Sequence, residues 1–355
     1  MQTTQNTPTQ DTPTQSAVKS FPYDERLSSW EMSQLWIIYQ ANSSMRCILQ
    51  YFVAKAQDHE IKDVLNDALN LIPLQLNSIS NIFDSVGFPI PHGFNDGDVE
   101  PNAKRLFSDS FMLVYLRAIN KFGLIKLAHS LPLASRPDVR AYLNNALVEA
   151  QNLLNKTEDI LAKKGLVVKP PYTPVPDRVT YVTDSVSYVG GLLGKNRSMN
   201  VLELSHVFER LETKLAERAL LLAFTQVAKD QKIKAHFSRG MDVLTKNVDR
   251  WSLILNNEDL ILPISWRSEV TESTESPFSD RLMLFHKMTS ISYSVTANGF
   301  ALANCNRIDL VSAFSKSMLE LQSFGKRGLE LLIENRWMEQ IPQVTDRNKI
   351  RNLGH

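Results

Sequence analysis

The stretch LFSDSFMLVYL at 106–116 returns as PFSDRLMLFHK at 277–287, with Phe, Ser, Asp, Met and Leu in register. The match extends in both directions. Glu31 aligns with Glu203, Ser33 with Ser205, Phe52 with Phe224, Asp58 with Asp230, Ile61-Lys62 with Ile233-Lys234 and Pro91 with Pro263, each pair 172 positions apart. After one residue is lost in a loop, the separation is 171. At that offset Phe107-Ser108-Asp109 meets Phe278-Ser279-Asp280, and Arg136, Asp138, Glu149 and Pro171 meet Arg307, Asp309, Glu320 and Pro342. An offset held over a whole domain identifies a duplication, and the repeat governs every assignment that follows.

Each copy contains four long segments with apolar residues at three- and four-residue intervals. Val139, Leu143, Ala146, Leu147, Ala150, Leu153, Leu154 and Ile160 trace one such stripe. This period predicts amphipathic helices near 28–56, 58–86, 105–129 and 136–164, and again near 200–228, 230–257, 277–304 and 307–336. Capping boxes are expected at Ser28 with Glu31 and Asn200 with Glu203, and at Ser135 with Asp138 and Asn306 with Asp309. Pro73 falls inside the second helix, where it should introduce a kink.

Connection lengths select the topology. Helices one and two, and three and four, are joined by short links, so each pair forms an antiparallel hairpin. The middle connection runs through Pro89, Pro91 and Pro101. A helix of ~28 residues is ~42 Å long, and ~19 extended residues span up to ~60 Å, so this segment can cross a full bundle. The fold class expected is therefore all-α, two tandem ferritin-like four-helix bundles, each with one long crossover between helices two and three. The domains expected are a disordered Thr/Gln/Pro-rich tail at 1–20, bundles at 24–165 and 199–340, a linker at 166–198 and a polar tail at 341–355. The Val/Tyr content of the linker predicts that it packs on a bundle.

Bulk composition narrows function. With 39 Lys and Arg against 38 Asp and Glu, no overall field recruits nucleic acid or an anionic membrane, which leaves protein partners as the expectation. Cys47 and Cys305 have no motif spacing, no run reaches the length of a membrane helix, and the amino terminus lacks the pattern of a signal peptide. The expected location is the cytoplasm, unless the chain is packaged into a larger particle made inside the cell. The sequence leaves the oligomeric state open.

DHEIKDVL (58–65), FPIPHGFNDGDV (88–99), LFSDSFML (106–113), PFSDRLML (277–284) and RWMEQIPQVTDR (336–347) together resemble the domain-of-unknown-function 3231 family of spore-forming Bacilli. The resemblance covers residues 24–347. It implies tandem ferritin-like bundles and, because some relatives resemble spore coat proteins, a structural or interaction role linked to sporulation. Arg336 and Ile341 stand where the family pattern has Gly and Pro.

Catalytic candidates are sparse. Glu203-Leu204-Ser205-His206 has the Glu-x-x-His spacing of di-metal bundles, but the first copy reads Glu31-Met32-Ser33-Gln34. Glu149 and Glu320 lie mid-helix beside the apolar stripe, either as half-buried hydrogen-bond partners or as remnants of a metal site. Glu149, Glu203, His206 and Glu320 are thus the metal candidates for an iron- or manganese-dependent oxidase, the alternative to a non-enzymatic protein without cofactor. Asp58, Asp109, Asp230 and Asp280 start helices and are read as caps. In HEIKD (59–63), Asp63 replaces the second histidine of a zinc-protease helix. His129 and His286 are read as surface or hydrogen-bonded groups. Trp36, Trp251 and Trp337 are read as packing residues, with an aromatic ligand site as the alternative. A third reading is a carrier with an apolar ligand between the bundles.

Overall fold

The computed structural model describes residues 26–192, 196–347 and 351. The tail at 1–20 and most of the residues after 347 lie outside this range. The first copy folds into α1 (Ser29–Lys55), α2 (His59–Ser85), α3 (Asp109–Ser130) and α4 (Pro137–Lys163). A short α5 (Ser185–Val189) interrupts the linker. The second copy supplies α6 (Val201–Val227), α7 (Gln231–Asn256), α8 (Asp280–Asn304) and α9 (Ile308–Glu334). Each copy is a four-helix bundle of two hairpins joined by a long crossover, as the connection lengths predict. α2 continues across Pro73 as a single helix.

Helix starts follow the sequence at four of the eight long helices, and at the two third helices the cap is the serine before the expected aspartate. Ser28 and Asn200 form full capping boxes with Glu31 and Glu203. Asp58, Ser108, Asp230 and Ser279 accept from amides of the helices they precede. Asp109 and Asp280 look backward instead. Asp109 accepts from the amides of Gln57 and Asp58, and Asp280 from those of Lys229 and Asp230, tying the α1–α2 and α6–α7 turns to the next helix.

The boxes expected at Ser135/Asp138 and Asn306/Asp309 do not form. The N-caps are Arg136 and Arg307, without side-chain caps, and Asp138 and Asp309 turn to the guanidinium groups of those two arginines. The exposed amides are satisfied from another helix. Glu31 Oε1 accepts from Ser135 N and Arg136 N at 2.8 Å each, and Glu203 Oε1 accepts from Asn306 N at 3.1 Å and Arg307 N at 3.0 Å. One buried carboxylate thus closes the start of two helices in each bundle.

The linker expectation also changes. Leu166, Val167 and Val168 pack on the core, but Tyr172, Val175, Val179 and Tyr181 are exposed. Pro170, Pro171, Pro174 and Pro176 keep the chain extended and remove backbone donors, so the segment has little with which to dock.

The two bundles are related by a pseudo-two-fold axis. Bridges join Val99 to Phe278 and Phe107 to Val270, and adding 171 to the first member of either pair gives a member of the other. The hydrogen bonds exchange in the same way: Ser108 N to Glu269 O and Ser279 N to Asp98 O, Thr271 N to Leu106 O and Glu100 N to Pro277 O. Residues on the axis meet their own counterparts. Lys104 pairs with Glu275 at 2.7 Å, Tyr115 OH lies 3.0 Å from His286 Nε2, and the Phe122 and Tyr293 rings sit 5.0 Å apart. This is the self-complementary geometry of an isologous dimer, built within one chain. A continuous apolar core runs through it from Phe52 and Phe107 to Phe224 and Phe278.

Candidate functional site

The two bundles differ most at one place. In the second, the space between α6 and α8 is filled by buried charge. Lys214 Nζ donates to Ser294 Oγ at 2.6 Å and to Glu217 Oε2 at 3.1 Å, and Lys287 Nζ reaches the same oxygen at 3.2 Å. Ser294 Oγ donates to Glu217 Oε1 at 2.6 Å. One turn earlier, buried Arg210 pairs with Glu209, which also accepts from Tyr293 OH. Burial alone would push the Glu217 carboxyl up. The two ammonium groups and the Ser294 hydroxyl outweigh burial and hold it low, while Lys214 is pulled down by burial and by the charges of Lys287 and Arg210.

The first bundle has Ile37, Ile38, Asn42, Met45, Leu116 and Gly123 at the positions of Glu209, Arg210, Lys214, Glu217, Lys287 and Ser294. These side chains are smaller or apolar, and all six line a cleft of about 1560 Å³. α1 and α3 touch at few points, whereas α6 and α8 pack closely. Among the described residues, a Cβ built on Gly123 meets no atom within 4 Å beyond its chain neighbours and the backbone of its own helix, so the helix surface is open there.

The cleft runs from the interior of the first bundle, at Ile72 and Leu153, to the seam with the second, at Phe285 and Tyr293. Its volume exceeds the ~300–1,000 Å³ usual for small-molecule sites. Most of its lining surface is apolar. Asn120 is buried and its Nδ2 has no partner among the described residues, the kind of donor a ligand oxygen would satisfy. Tyr115 and His286 form one wall. Burial raises the Tyr115 hydroxyl, and burial with the Lys287 charge brings His286 down to about 4, so the pair is a neutral hydrogen bond.

The segment after α9 roofs the cleft with Trp337, Met338 and Ile341. Glu339 pins it by accepting from His92 N at 3.0 Å and Gly93 N at 2.8 Å, in the crossover of the other bundle. Of the three tryptophans read as packing residues, Trp251 is fully buried in the core, while Trp36 and Trp337 border the cleft.

The metal candidates do not converge. Besides the two α9 amides, Glu203 holds Asn200 N and both terminal nitrogens of Arg197. Its carboxyl, raised by burial, is brought down to about 2 by these donors. Glu149 lies in the other bundle and accepts from Gln75 at 2.8 Å, and Glu320 is held by Arg250 and Asn247. His206 is half-buried on α6, three residues after Glu203. Among the described residues no group of three or more His, Cys, Asp or Glu is placed to hold a metal ion. His129 packs edge-on against Trp30.

Sequence reading passed over the cleft and the charged cluster, although a signal was present. Aligned copies put Lys214, Glu217 and Lys287 on apolar helix faces opposite Asn42, Met45 and Leu116, and charge on such a face needs a partner.

Fold and cleft together define a duplicated four-helix-bundle protein with an apolar chamber at its internal seam. The chain belongs to DUF3231, a family described as a protein of unknown function, whose model matches residues 15–179 and 188–350. The crystal structure of a candidate spore coat protein from Bacillus halodurans is similar to it, with 18% identity and a TM-score of 0.39. That likeness covers 44% of this chain and 100% of the other. No curated protein matches. Among the described residues no helix is long and apolar enough to cross a membrane.

Proposed function

We propose that this protein acts by binding rather than catalysis, holding an apolar small molecule in the cleft between α1, α3 and α8. The observation that carries this reading is the substitution of six cleft-lining residues for the cluster that fills the same space in the second bundle. A bundle gains nothing in stability from an unfilled apolar chamber, since its walls forgo dispersion contacts that packing would supply. A ligand supplies those contacts, and Asn120 Nδ2 gives it one orienting hydrogen bond.

Gly123→Leu tests this directly. The added side chain enters open space, so the variant should fold and be at least as stable as the parent, while an apolar molecule found by mass spectrometry of solvent extracts of the parent should be absent. Extracts of both proteins that contain no apolar compound, combined with no binding of an added apolar fluorophore, would reject the reading.

The competing metal-dependent oxidase needs Glu149, Glu203, His206 and Glu320 to act together, and two bound irons per bundle after anaerobic loading would favour it. The sporulation setting comes from the family resemblance, and transcription through spore formation checks it.

A further inference from the structure

A second concavity lies on the outer face of the second bundle, between α7 and α9, apart from the cleft and independent of the reading given to it. It has a volume of about 300 Å³ and a rim of Gln231, Lys232, Ala235, Arg239, Arg327 and Leu331. His236 forms its floor. That side chain is 2% exposed and stacks on Phe324 with ring centroids 4.2 Å apart, and neither ring nitrogen has a hydrogen-bond partner among the described residues. Two unsatisfied nitrogens on one buried ring carry a desolvation cost that the fold does not offset.

The duplication provides the control. The same positions in the first bundle are His59, Glu60, Asp63, Val64, Asp67, Lys156 and Ile160. There Lys156 pairs with Asp67, and Lys163 and Lys164 with Glu60, so the surface is neutralised by its own ions. In the second bundle the three acids have become Lys232, Ala235 and Arg239, and the valine has become His236. Among the described residues no acidic side chain lines the dent. Arg327 is held by Glu330 and Glu334 at its outer edge, and Glu334 also feels the charge of Lys232 without pairing to it.

We propose that this dent binds a small phosphate-class oxyanion, held by Lys232 and Arg239 at the rim and by a ring N–H of His236 at the floor. Guanidinium and ammonium groups beside a buried donor are the chemistry that selects such an anion, and guanidinium forks match its oxygens two at a time. Burial and the charges of Arg239, Arg327 and Lys287 bring His236 down to about 4, so it meets the anion as a neutral ring with one N–H to give. The anion in turn supplies the partner that the ring lacks.

The test is titration of the full chain with inorganic phosphate, and separately with glycerol phosphate, in chloride buffer at constant ionic strength. Heat and the His236 ring resonances are the readouts. Saturable one-site binding that shifts those resonances is expected, and the tighter of the two probes identifies free anion or phosphomonoester as the source. Lys232→Glu combined with Arg239→Asp, both exposed positions, should weaken binding at least about tenfold without moving the melting temperature. His236→Val should weaken it as well. Absence of saturation, or unchanged affinity in either variant, would overturn the proposal.

Discussion

At the scale of single residues, Glu31 and Glu203 do the most structural work. Each is fully buried, and each carboxylate accepts from backbone amides at the starts of two helices. Burial pushes both carboxyls up, but the donors around them prevail and hold them at about 2, against 4.5 for an ordinary glutamate. The folded state therefore binds fewer protons than the unfolded chain between those values. Each group contributes roughly 3 kcal/mol that is fully present above pH 4.5 and lost as the pH falls toward 2. Glu31→Gln and Glu203→Gln should lower stability at neutral pH and flatten the acid limb of the curve, as chemical denaturation between pH 2 and 7 would measure.

Arg336 shows a second residue-scale effect. It follows α9 with φ 58°, in the same turn that Gly165 makes after α4 with φ 68°. In both, the next amide bonds back to the last turn, Leu166 N to Leu161 O at 2.9 Å and Trp337 N to Leu332 O at 2.8 Å. A side chain in this left-handed conformation costs ~1–2 kcal/mol. Arg336→Gly should raise the melting free energy by about 1 kcal/mol, and Gly165→Arg should lower it by a similar amount.

At the scale of elements, the contrast between α1–α3 and α6–α8 decides where a ligand can enter. Two lysines share one carboxylate in the second bundle, a cluster that is costly to disturb because removal of one member leaves like charges buried together. Glu217→Gln should destabilise the protein by about 3–5 kcal/mol. Replacing Lys214, Glu217, Lys287 and Ser294 together by the Asn, Met, Leu and Gly of the first copy should cost less than that single change, and should create a second apolar-probe site. Unfolding midpoints and probe stoichiometry check both outcomes.

At the scale of the whole molecule, the seam is part of the core. Phe278 packs edge-on against Tyr51 of the other bundle at 5.2 Å, and the crossovers exchange backbone hydrogen bonds across the axis. Neither bundle can unfold without exposing the partner's apolar face. Calorimetry should show one cooperative transition, with equal calorimetric and van't Hoff enthalpies. Two separated transitions would show that the bundles are independent units. The Glu339 strap belongs to this scale as well, since it joins the end of the second bundle to the crossover of the first. Glu339→Ala should free the roof and shift Trp337 fluorescence to longer wavelength, with little change in overall stability.

The duplication, the eight long helices and four of their caps were legible in the sequence, because apolar periodicity and capping chemistry are local properties that neighbouring residues decide. Glu31 and Glu203 were legible only in part. Their capping boxes were visible, but the amides at 135–136 and 306–307 that they also satisfy lie about a hundred residues away. Glu149 and Glu320 are half-buried and hydrogen-bonded, to Gln75 and to Arg250 with Asn247. The pseudo-two-fold seam, the cleft where small side chains replace a charged cluster, and the burial of His236 without a hydrogen-bond partner among the described residues were decided by tertiary structure alone. Each depends on which faces of distant helices meet, and on whether the volume between them is filled, which no single segment encodes.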